Sequence, residues 1–139
     1  MEKEYKLAEQ YHLQGNNCIE SVLKTCNDTM NLQLPDVAIR MASGMGGGIG
    51  RSGCVCGALS GACLVIGALV GRLIPDEKPL PEVYKYTSEF HDRFKEHFGA
   101  TCCRALNTLS FGTPEYRKHC IKITATAADM VSDFVAEKG

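Results

Sequence analysis

The apolar positions of this chain recur at spacings of three and four over most of its length, which predicts helices and no strands. Tyr5, Ala8, Tyr11 and His12 mark a first helix over residues 2 to 15, closed by Gly15 as a glycine just past a helix end would close it. Asn17 followed three residues on by Glu20 has the form of a capping box. A second helix therefore begins at Cys18, with Ile19, Val22 and Leu23 as its apolar stripe, and reaches about Met30. Pro35 and Asp36 open a short third helix, which ends at the glycine-rich run from Gly44 to Gly53. Val83, Tyr86, Phe90, Phe94 and Phe98 predict an amphipathic helix stopping at Gly99. Thr101 can cap a short helix through Cys102, Cys103, Ala105 and Leu106, and Thr113 with Pro114 opens a long last one through Phe134.

From Ser52 to Gly71 the 20 residues carry no charge and stand between Arg51 and Arg72, about the length that crosses a bilayer. Against a span, the segment is largely Gly, Ala, Ser and Cys, it has no aromatic belt, and no second span accompanies it. A helix that is apolar all round is a core helix, and Gly57, Gly61, Gly67 and Gly71 would let neighbouring backbones approach it closely. The expected fold is an all-α, single-domain helical bundle over residues 1 to 139, with segment 54 to 71 as a buried Gly/Ala/Cys-rich central helix.

Charge changes this picture little. Lys and Arg total 15 against 16 for Asp and Glu, with no block of like charge, so nucleic acid is not an expected partner. The N-terminus MEKEYKLAEQYH lacks the apolar centre of a secretory signal, and a cytoplasmic location is expected. Gly48, Gly50 and Gly53 satisfy a dinucleotide fingerprint, but that fingerprint requires a preceding strand, and residues 37 to 42 read as helix. Those glycines serve close approach, or a nest of amides that would suit an anion.

Eight cysteines do change the picture, because a chain of 139 residues needs no disulfide staples and cysteine clusters in a reducing compartment point to metal or catalysis. Cys18, Cys54, Cys56, Cys102 and Cys103 all fall at predicted helix starts, where unpaired amides and the helix dipole favour thiolate. Arg51, Arg104 and the run Arg117, Lys118, His119 add positive charge beside cysteines. Cys26 and Cys63 read as core filler. Residues seven apart on a helix lie about 10 Å apart along its axis, so Cys56 cannot bridge Cys63, and any functional cluster must form between helices. Cys-x-Cys and Cys-Cys are not zinc knuckles, and the four histidines are scattered, each read as a surface or cap residue rather than a ligand.

In Cys56-Gly57-Ala58-Leu59-Ser60-Gly61 the chain resembles the family of redox-active proteins labelled C_GCAxxG_C_C, which has a Cys-Gly-Ala-x-x-Gly motif and three further cysteines. The resemblance covers nearly the whole chain, including the glycine-rich loop and Phe98-Gly99. It implies that Cys18, Cys56, Cys103 and Cys120 are the catalytic or metal-ligating set; Cys54 and Cys102, additions to the family's pattern beside Cys56 and Cys103, are alternative ligands or nucleophiles there and, with Gly57 and Gly61, the residues that would contact a cofactor. The implied function is electron transfer or thiol-disulfide exchange, through an iron-sulfur cluster ahead of zinc if a metal is held, toward a redox partner still to be found. A non-catalytic metal-binding or interaction module associated with a transporter is the alternative, and a homodimer is among the expected assemblies.

Overall fold

The computed structural model describes residues 2–139. They form an all-α bundle in the order α1 (Glu2–Leu13), α2 (Cys18–Met30), α3 (Asp36–Ser43), the single distorted turn α4 (Gly46–Ile49), α5 (Gly57–Val70), α6 (Leu80–Phe98), α7 (Cys103–Leu106) and α8 (Pro114–Lys138). Among the described residues no strand is present; Val55 and Cys102 make an isolated antiparallel bridge.

The ends of these helices follow from their capping chemistry. Asn17 Oδ1 accepts the Glu20 amide at 2.9 Å while Glu20 returns its carboxylate to the Asn17 amide, which completes the capping box. The same Asn17 donates through Nδ2 to the Ser43 carbonyl at 2.9 Å, tying the start of α2 to the end of α3. Thr113 accepts from the Tyr116 amide and Pro114 stands at the first position of α8. Gly99 ends α6 in the left-handed conformation.

Helix α2 packs against α1 and α5, α8 lies along α1, α2 and α5, and α6 rests on α5. The core is built from Ile19, Val22, Val65, Ile66, Phe90, Phe94 and Val131, with Phe90 and Phe134 meeting edge to face at 5.5 Å. Where α1 meets α8 the contact is Ala8 against Ala125 and Ala128, small residues that bring the two axes close.

Two expectations need correction. The central helix starts at Gly57 and not at Cys54, because residues 54–56 run extended beside 101–103. Nor is it covered on every side: Leu64 is 46% exposed and Met41, on the neighbouring α3, is 76% exposed. Helix α3 is only eight residues long, and an open apolar groove of about 460 Å³ remains between it and α5. Among the described residues no helix is long and apolar enough to cross a membrane.

Because Asn17 supports α2, α3 and the first turn that carries Cys18, Asn17→Ala should cost about 1–2 kcal/mol. A fall in Tm of about 5 °C is expected in thermal unfolding followed by circular dichroism. An unchanged Tm would mean that the cap contributes nothing to this fold.

Candidate functional site: a thiol cluster at the helix ends

Three chain segments build one end of the bundle. The Cys56 amide donates to the Thr101 carbonyl at 2.8 Å and the Cys103 amide to the Cys54 carbonyl at 2.7 Å, so the chain before α5 is locked to the chain before α7. The Cys54 amide donates to the Gly48 carbonyl at 3.1 Å, closing the glycine-rich loop onto the same place. Gly48 has φ of +70°, and a Cβ there would stand 2.5 Å from the Cys54 nitrogen, so glycine is required on both counts. The start of α8 is fixed by Asn107 Nδ2 donating to the Tyr116 carbonyl at 3.0 Å and by the His119 ring meeting the Leu106 carbonyl at 2.9 Å.

This scaffold brings Cys18, at the first residue of α2, Cys56, the residue capping α5, Cys103, at the first residue of α7, and Cys120 of α8 into one neighbourhood. Cys18 and Cys120 line the same cleft, and the charges of Cys18 and Cys103 both act on Cys56. Cys103 Sγ lies 3.7 Å from the Tyr116 hydroxyl and Cys120 Sγ lies 3.6 Å from His12 Nε2. All eight cysteines are free thiols. Cys102 is exposed and Cys54 half-buried. Their backbones make the bridge that positions Cys56 and Cys103.

The motif glycines have a geometric reason. A Cβ on Gly57 would overlap the Cys18 sulfur, and one on Gly61 would stand 3.2 Å from Ile19 Cγ1 and 3.3 Å from Val22 Cβ. Both lie where α5 presses onto α2, so they set how closely Cys56 approaches Cys18.

The thiols differ sharply in acidity. The Cys18 thiol is lowered to about 6, first by the hydrogen bond from Cys120 and then, against the opposing effect of burial, by the amides of Gly47, Ile19 and Cys18 itself. Cys120 is pushed up, first by the same hydrogen bond and then by burial, so the pair holds one proton between them with the charge on Cys18. The helix starts predict an acidic thiol at one or more of Cys54, Cys56, Cys102 and Cys103, and Cys56 is not that one. Burial instead pushes it up to about 12, with the charge of Cys18 adding, and these outweigh the helping amides of Ala58 and Leu59. Cys26 is raised to about 12 and Cys63 is also raised, both first by burial, as befits core residues.

Two members were missed in the sequence. His12 was assigned to surface or cap, yet it is buried (8% exposed) with Nε2 on the Cys120 sulfur. Its pKa is lowered, first by burial, which holds the ring neutral. Tyr116 raised no signal in the sequence; its hydroxyl is held protonated, first by burial and then by Cys103. One helix turn after Ala8, which faces α8, His12 falls on the same face, a relation visible only once the partner of α1 is known.

An open cleft of about 370 Å³ descends to Cys18 and Cys120, lined also by His12, Gly47 and Tyr116. It adjoins a second of about 600 Å³, with which it shares His12, Phe111, Tyr116, Arg117 and Cys120. As placed, the thiols are not a metal cage: among the described residues no group of three or more His, Cys, Asp or Glu side chains is arranged to hold an ion.

The class that the fold defines is an all-α bundle that gathers cysteines from several helices at one end. The family described as "Putative redox-active protein (C_GCAxxG_C_C)" matches residues 16–134. The chain belongs to that family. A protein of Archaeoglobus fulgidus described as "Uncharacterized protein" is 27% identical over 122 residues, covering 82% of this chain and 81% of that one. No solved structure matches.

Proposed function

We propose that the chain carries out thiol-disulfide exchange, with Cys18 as attacking thiol and Cys120 as resolving thiol. The observation that supports this most is that Cys18 and Cys120, brought from α2 and α8, both line the bottom of one open cleft, where the Cys18 thiol is shifted down and the Cys120 thiol up. The Cys18 thiolate attacks one sulfur of a disulfide R–S–S–R; that bond breaks, Cys18–S–S–R forms and R–S⁻ leaves. Cys120, oriented by His12 Nε2 3.6 Å away, then attacks the Cys18 sulfur, and its proton leaves with the second R–S group as R–SH. The substrate gains two electrons and the Cys18–Cys120 pair is oxidised to a disulfide, which an external dithiol reduces again. Cys56 and Cys103 act beside this pair, Cys56 as a neutral thiol that leaves the charge on Cys18 and Cys103 as the partner of Tyr116.

The test is to oxidise reduced protein with one equivalent of a small disulfide and map the products by peptide mass analysis. A Cys18–Cys120 bridge and the loss of two thiols per chain are expected, with Cys26 and Cys63 untouched. A bridge that uses neither cysteine would overturn the assignment. Visible absorbance in anaerobically purified protein that disappears in Cys18→Ser would favour the iron-sulfur reading over exchange.

A further inference from the structure

The walls of the double cleft carry charge of one sign. Arg51 and Arg117 line the part above Cys18, Arg117 and Lys118 line the part that opens beyond Cys120, and among the described residues no Asp or Glu lines either. This is not the character of the whole chain, whose net charge is −1. The two arginines are held in place and remain available. The Arg51 guanidinium lies over the Phe111 ring at 4.1 Å from its centre, a stacking that leaves the edge donors of the group free. Arg117 uses one nitrogen, Nη2, on the His12 and Leu13 carbonyls at 3.2 Å each. Phe111 is 57% exposed and meets Tyr116 edge to face at 5.3 Å, giving the cleft an apolar surface beside its charged groups.

The volumes, about 370 and about 600 Å³, fall within the roughly 300–1,000 Å³ of small-molecule sites. Cys18 at the bottom is only 5% exposed, so a disulfide on a folded protein surface would have to push a loop into the cleft to reach it. A small molecule needs no such deformation. A cleft with low-dielectric walls and one sign of charge concentrates ligands of the opposite sign and speeds their arrival.

From these features we propose that the site is built for small anionic disulfides, carboxylate-bearing molecules whose acid groups meet Arg51, Arg117 and Lys118 while their sulfur–sulfur bond reaches Cys18. The proposal rests on the exchange reading above. The steps are those already given, with two small anionic thiols as products and an external dithiol as the reductant that resets the protein.

Three short symmetric disulfides of similar length test it: 3,3′-dithiodipropionate with two negative charges, bis(2-hydroxyethyl) disulfide with none, and cystamine with two positive charges. The rate at which pre-reduced protein forms its bridge is measured for each and divided by the rate of 2-mercaptoethanol with the same disulfide, which removes differences in intrinsic reactivity. The dianion is expected to lead the neutral compound by about tenfold and cystamine to trail both. The spread should collapse at roughly 0.5 M salt, where the Debye length falls to a few ångströms. Arg117→Gln should narrow it, and so should Lys118→Gln, an exposed substitution that leaves the contacts to α1 intact. Equal normalised rates, an inverted order, or a spread indifferent to both substitutions would overturn the anionic preference while leaving exchange standing. Unchanged rates with all three compounds in Cys18→Ser would instead bring down the exchange reading itself.

Discussion

Alkylation of Cys18 in the reduced protein is expected to be half-maximal near pH 6, and Cys120→Ala is expected to move that midpoint up by a unit or more. The hydrogen bond from Cys120 is the largest cause of the lowered pKa, ahead of the amides of Gly47, Ile19 and Cys18, and burial works against all of them. At pH 6 about half of Cys18 is thiolate, whereas an ordinary thiol with a pKa near 8.5 is only about 0.3% ionised. An acidic thiolate is also intrinsically less nucleophilic, which takes back roughly a factor of ten. The midpoint of the profile is therefore the measurement, and ultraviolet thiolate absorbance gives it without requiring a reagent to enter the cleft. A midpoint near 8.5, or one unmoved in Cys120→Ala, would contradict the shared proton. Stability should follow in the same direction. A thiol with a depressed pKa in the folded state stabilises the fold above the ordinary thiol range, and its contribution is lost as pH falls from about 8.5 toward about 6. Cys56 and Cys120, both raised, act oppositely above the ordinary thiol range, where the unfolded chain loses protons that the folded one keeps.

Gly57→Ala is expected to be the most damaging single methyl that α5 can receive. Its Cβ would overlap the Cys18 sulfur and stand 3.4 Å from the Ile19 amide and 3.5 Å from the Gly46 Cα, so α5 must retreat from α2 or Cys18 must leave its position. Overpacking of this kind costs about 1–3 kcal/mol, and here it also removes the acidic thiol. Two other glycines on the same helix provide the scale. At Gly61 the neighbours Ile19 and Val22 need yield only a few tenths of an ångström, so Gly61→Ala should be milder. At Gly67 nothing lies within 4 Å, and replacing a mid-helix glycine there should stabilise by about 0.5–1 kcal/mol. Thermal unfolding should rank Gly57→Ala lowest, then Gly61→Ala, then wild type, then Gly67→Ala. If Gly57→Ala equalled Gly61→Ala in Tm and kept the low Cys18 midpoint, the close approach of α5 to α2 would not be what shapes the site.

The parts of this molecule that could be read from its sequence are those decided within a few residues. Asn17 and Glu20, Thr113 and Pro114, and the glycine after Phe98 each state a helix end locally, and each helix end is where they place it. The alternation of apolar residues from Val83 to Phe98 likewise located Phe90 and Phe94 in the core. Residues 54–56 went astray because their conformation is set by Thr101 and Cys102, far along the chain, through hydrogen bonds that no local pattern announces. At Cys56 acidity goes against its helix-end position. The amides at the start of α5 do favour a Cys56 thiolate, as the helix-end argument required, but burial outweighs them, and burial depends on what packs above. Cys18 also has helix-end amides, and yet its largest help comes from Cys120. His12 was passed over for a similar reason: a histidine near the end of an exposed-looking helix becomes part of a site only through the face α8 presents to it.

The pairing of Cys18 with Cys120 has a consequence for how the protein comes to be made. Cys18 leaves the ribosome well before Cys120, so until α8 is made the first sulfur is an ordinary thiol, mostly protonated at neutral pH and slow toward disulfides. Only when α8 docks does that sulfur lose its proton. On the proposed exchange, reactivity is thus delayed until α8 is in place, and the acidity of one sulfur becomes a chemical report that α8 has docked on α2.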